Sequence, residues 1–171
     1  MNTIIPDPEI LIGIAALGLT VTGFSGLISV LGRRSTGVWS DQERFQLGQL
    51  IETSLAVTFA SFIPILVSML NADTNALLVA TALVAMFHLV LLVRGVTKNY
   101  RQKSSMEMLP NRVTAFMVTG GFVLIVASGF AVFGVIPGLA FLLVSNLLWL
   151  LMVAVIHFVF LLMTPGSSED A

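Results

Sequence analysis

Residues 139–163 read LAFLLVSNLLWLLMVAVIHFVFLLM, a run without Asp, Glu, Lys or Arg, closed soon after by Pro165 and Gly166. A helix needs about 20 mostly apolar residues to cross the hydrocarbon core of a bilayer, and this stretch supplies them. Four more runs of this kind precede it, so the chain is expected to be an all-α integral membrane protein, a bundle of five transmembrane helices over 10–31, 41–70, 76–96, 113–133 and 139–163. Residues 1–171 then form a single membrane domain, with 164–171 as a short polar tail.

The boundaries carry their own signals. Asp7 can cap helix 1, with Pro8 and Glu9 in its first turn. Ser40 and Glu43 have the spacing of a capping box at the start of helix 2. Gly134 and Gly138 flank Pro137 in a tight break between helices 4 and 5.

Composition agrees with this reading. Of 171 residues, 57% are hydrophobic and 10% are charged, and the mean hydropathy is +1.00. A soluble domain is about 45–50% apolar and about 25% charged. Five spans use most of the length, which leaves no room for a separate soluble domain. The absence of cysteine excludes disulfides and thiolate chemistry. The N-terminal segment has no basic residue, so the first apolar run is expected to be a retained helix rather than a cleaved signal.

Charge placement orients the chain. All eight Lys and Arg residues fall in two segments, Arg33, Arg34 and Arg44 in the first and Arg94, Lys98, Arg101, Lys103 and Arg112 in the second. With five spans these segments share one side, which the positive-inside rule makes cytoplasmic. The N-terminus is then expected outside and the C-terminus in the cytoplasm. Trp39 and Tyr100 lie in the same segments, as interfacial aromatics do. The expected setting is a bacterial cell membrane, with anionic lipid headgroups against the basic loops.

Ionisable groups inside apolar spans are costly and tend to face a bundle interior. Three stand out: Glu52, His88 and His157. Counted at about 1.5 Å per residue from the cytoplasmic boundary, which Arg94 marks on helix 3, each falls roughly 9 Å deep, so the three are expected to share a layer. Such a layer suits a proton or cation relay. The same three residues are candidates for a divalent metal, and His88 with His157 for a haem. Local satisfaction is the competing reading, with Glu52 reaching Arg44 or Arg33 and each imidazole bonding a neighbouring helix. On helix 5, Asn146 shares the face of His157, and a buried Asn is more often interhelical glue than a ligand.

Helix 1 carries a stripe of Ala15, Gly18, Thr22, Ser25 and Ser29 that leads to Arg33. Small residues at this spacing let helices pack closely, or they line a polar pathway. Ser54, Thr58, Ser61 and Ser68 form a second polar face on helix 2, opposite Glu52, which predicts that helix 2 is contacted from both sides. Helix 4 repeats the pattern with Thr114, Gly121 and Ser128.

No phosphate-binding glycine loop, HExxH or Ser/His/Asp signature is present, and the short basic loops do not suit nucleic acid. The function expected is therefore non-enzymatic: a homo-oligomeric membrane conduit, channel or transporter, for protons or small ions. Its pathway would run along Thr22, Ser25, Ser29, Arg33, Asn146, Glu52, His88 and His157, with no cofactor. A scaffold or accessory subunit of a larger membrane complex is one alternative. A haem- or metal-binding membrane subunit is the other.

Overall fold

The computed structural model describes residues 6–31, 41–70, 75–102 and 111–163. Among the described residues there are five helices and no strand: α1 (Pro8–Leu31), α2 (Asp41–Leu70), α3 (Ala76–Gln102), α4 (Asn111–Val132) and α5 (Leu139–Met163). All five are long and apolar enough to span a membrane.

Local chemistry sets their ends. The backbone N–H of Glu9 donates to Asp7 Oδ1 at 3.0 Å, so Asp7 caps α1 with Pro8 in the first helical position. At the other end of α4 the N–H of Val135 reaches the carbonyl of Phe130 at 2.9 Å, and that of Gly134 reaches Ala131 at 3.0 Å. This is a Schellman motif, and it requires the left-handed backbone of Gly134, φ 75°. Gly138, φ 102°, then redirects the chain into α5. Ser40 of the expected capping box lies outside the described residues.

α3 departs from expectation. Hydropathy ends the span at Val96, but the helix continues to Gln102. Residues 97–102 contain no breaker, and apolar content measures how much helix lies in lipid rather than where hydrogen bonding stops.

Successive helices pack against one another, and α5 also returns to touch α1, α2 and α3. Contacts fix the directions. Thr22 meets Ser54 while Thr58 meets Ala15, so α1 and α2 are antiparallel. Thr81 meets the Leu139 carbonyl and His88 meets Asn146, so α3 and α5 are parallel. Gln46 meets His157, so α2 opposes α5. Arg44 near the start of α2, Arg94 and Lys98 near the end of α3 and Arg112 at the start of α4 consequently lie at one end of the bundle, the basic end.

α5 is the central element. It touches all four other helices, and α2 touches α1 on one side and α3 and α5 on the other. One apolar cluster, Leu11, Ile14, Val57, Ala60, Leu77, Ala80, Val84, Leu143, Leu147 and Leu150, fills the half of the bundle away from the basic end and reaches the middle, and a smaller one, Leu50, Ala154 and Leu161, lies towards the basic end. Outward faces carry large apolar side chains such as Phe24, Phe59, Phe116, Phe122 and Phe141, as a lipid-facing surface requires.

Candidate functional site

The polar side chains buried among these helices divide into three groups. In the first, His88 of α3 bonds through Nδ1 to Asn146 Oδ1 of α5 at 2.7 Å. Asn146 Nδ2 donates to Ser128 Oγ of α4 and to the Leu142 carbonyl, both at 2.8 Å. Ser128 Oγ in turn donates to the Leu124 carbonyl at 2.8 Å. Asn146 and Ser128 are fully enclosed and His88 is 3% exposed. One asparagine thus ties three helices together.

Further towards the basic end, His157 Nδ1 meets Gln46 Oε1 of α2 at 2.9 Å, with both residues buried. The third group is an ion pair. Glu52 of α2 accepts from Arg94 Nε at 2.8 Å and from Lys98 Nζ, both of α3. The Arg94 side chain is 64% exposed, so this pair sits at the bundle edge rather than in its interior.

A cavity of about 110 Å³ lies between α2, α3, α4 and α5. Its wall begins at His88 and Trp149 and runs past Leu92, Thr53 and Val153 to Gly95, Thr114 and His157. α3 and α5 touch at Thr81 with Leu139 and at His88 with Asn146, and the cavity lies beyond that point. Among the described residues no Asp, Glu, Lys or Arg lines it. Both histidines do, and among the described residues neither Nε2 has a hydrogen-bond partner.

Two glycines let α4 close over this site. A methyl group at Gly120 would overlap the Trp149 indole. One at Gly121 would lie 3.1 Å from His88 Nε2 and 3.3 Å from Trp149 Nε1. Both nitrogens therefore converge on the same bare stretch of backbone.

The common layer of Glu52, His88 and His157 does not form. His88 is level with Asn146, which precedes His157 by eleven positions in the chain, about 16 Å along the helix axis. Glu52 lies between these levels, opposite Arg94 and Lys98. The depth count failed because it took Arg94 as the boundary of α3. That residue is paired with Glu52 alongside the span, and the helix continues two turns beyond it. The histidines are too far apart along α5 for one metal ion, whose nitrogen ligands sit about 2 Å from it. Among the described residues no group of three His, Cys, Asp or Glu is arranged to hold a metal.

The helix 1 stripe also has a different place from a pathway lining. Thr22 Oγ1 lies 2.7 Å from Ser54 Oγ, and Thr58 Oγ1 donates to the Ala15 carbonyl at 3.3 Å. A methyl group at Gly18 would come within 2.8 Å of the Ser54 carbonyl oxygen. Ser25 is fully buried and donates to the Thr22 carbonyl at 2.6 Å. The stripe is the seam between α1 and α2, and no described residue of α1 lines the cavity. The Ser29 side chain and Arg33 lie outside the described residues.

Residues that sequence reasoning passed over complete the site. Gln46, Gln49 and Thr53 are buried at helical spacing on one face of α2 and turn towards α5 and the cavity. Three polar residues spaced three and four apart were a legible signal. Trp149 gave none, because an indole in an apolar run reads as lipid-facing surface. No protein family, no curated protein and no solved structure matches this chain.

Proposed function

We propose that this protein is a proton-handling membrane transporter of the carrier kind, with its pathway inside one chain, between α2, α3, α4 and α5. The observation that carries this reading is the commitment of one nitrogen of His88. Asn146 holds Nδ1, so Nε2 is the ring atom left to take up a proton from the cavity side. A relay that passes protons through an imidazole needs both nitrogens free. Asn146 Oδ1 cannot hand a proton on, so His88 must take and return it at the same atom. Net transport then requires the access to His88 to change sides, which is carrier behaviour.

The surroundings support the reading. About 110 Å³ is room for several waters, and Gln49, Thr53, His88, Thr114 and His157 offer them partners. A bare metal cation would find no carboxylate among the described wall residues, which favours protons as the transported species. Past His88 the path meets Ala80, Val84, Leu143 and Leu147, all buried and apolar, which close the far half in this conformation. The positive-inside rule puts the basic end, and with it the cavity, on the cytoplasmic side, and the N-terminus outside. No second copy of the chain is needed to complete the pathway.

Proteoliposomes loaded with a pH-sensitive dye test the proposal. Wild-type protein is expected to dissipate an imposed pH gradient at a saturable rate, and His88→Leu to abolish the flux. Stepwise channel currents, or flux unchanged by His88→Leu, would overturn it.

A further inference from the structure

The geometry points to a binding seat at His88 and Trp149 for a small neutral hydroxyl compound, an alcohol smaller than benzene. This goes beyond proton handling and holds whether or not protons cross.

Direction in the hydrogen-bond chain supplies the first part of the case. A backbone carbonyl can only accept, so the bond to Leu142 identifies the Asn146 atom facing it as the amide nitrogen. Ser128 uses its own hydrogen on Leu124 and therefore accepts from the same Asn146 nitrogen. The Asn146 atom facing His88 is then the oxygen, which obliges His88 Nδ1 to carry the hydrogen. In the neutral ring this leaves Nε2 a bare acceptor. It is enclosed, it has no described partner, and it faces a cavity.

The second part is the chemistry beside that acceptor. The indole N–H of Trp149 converges with His88 Nε2 on Gly121, and its bond to the Met117 carbonyl is long at 3.4 Å. An acceptor and a weakly engaged donor side by side match a hydroxyl group, which donates once and accepts as well. Leu91, Leu92, Met117, Val118 and Leu150 surround the pair with hydrocarbon. Among the described residues the wall holds no Asp, Glu, Lys or Arg, which suits a neutral occupant. Size sets the upper limit: a dry apolar cavity of about 150 Å³ accepts benzene, and this one is about 110 Å³.

The experiment compares 2-propanol with 2-fluoropropane, a molecule of nearly the same size that lacks the O–H. Each is titrated into the Trp39→Phe protein in lipid nanodiscs, with Trp149 emission and the 15N resonances of His88 as readouts. 2-Propanol is expected to saturate the site and shift the Nε2 resonance. 2-Fluoropropane should bind about tenfold more weakly, the ratio that one hydrogen bond supplies. His88→Leu should erase the difference between the two. Equal binding of the two compounds, or no saturable response to 2-propanol, overturns the proposal. So does a wild-type spectrum with the hydrogen on Nε2, which can be read without any variant.

Discussion

Replacing Asn146 with leucine tests the polar junction of α3, α4 and α5 with little change in volume. The substitution removes the bonds to His88 and Ser128, while the Leu142 carbonyl keeps its place in the helix ladder. Hydrogen bonds between membrane helices average about 0.6 kcal/mol and reach about 1.7, so two of them account for about 1–2 kcal/mol. His88 Nδ1 would be left as a buried donor without a partner, which adds about 1 kcal/mol or more. The expected loss is therefore about 2–3 kcal/mol, read from reversible unfolding of purified protein in bicelles. The double variant His88→Leu/Asn146→Leu leaves no stranded donor and should recover part of the loss, since removing both partners costs less than removing one. A single variant within about 0.5 kcal/mol of wild type, or a double variant at the simple sum of the two singles, would refute the reasoning.

Further outcomes follow from other contacts. Gly18→Ala sets a methyl against the Ser54 backbone oxygen and should cost about 1–3 kcal/mol in the same assay, whereas Gly13→Ala and Gly23→Ala meet open space and should stay within about 0.5. Gly120→Ala must displace the Trp149 ring, so it should shift Trp149 emission in a Trp39→Phe background as well as lower stability. Glu52→Gln breaks a partly exposed pair with Arg94 and Lys98, and should cost about 1 kcal/mol or less while proton flux persists. Loss of flux on that change would return Glu52 to the pathway.

Helix number and most boundaries were legible because each span is an apolar run with its own caps, as Asp7, Gly134 and Gly138 illustrate. Helical phase also worked. It grouped Asn146 with His157 on the face of α5 that meets the cavity, and it gave α2 two contacted sides. Depth did not work, because a basic residue such as Arg94 marks a bilayer boundary only if it is not already paired alongside the span. Small-residue stripes were ambiguous for a different reason. Gly18, Thr22 and Ser25 serve equally to line water or to admit another helix, and only the position of α2 decides between them. The pairing of His88 with Asn146 is a contact between residues 58 apart in the chain, which no local pattern encodes.

The central claim is a hydrated cavity that ends at His88, and thiol accessibility tests it most directly because the chain has no cysteine of its own. A thiol reacts as its thiolate, so modification by a small methanethiosulfonate reports water at the site. Single cysteines at Thr114 and Val153, on the cavity wall, and at Val84 and Leu143, in the apolar half, cover both sides of His88. With reagent added only at the basic end, the account predicts modification of the first two and none of the second two. Equal reactivity at all four positions from that end, or reactivity there confined to Val84 and Leu143, would contradict it.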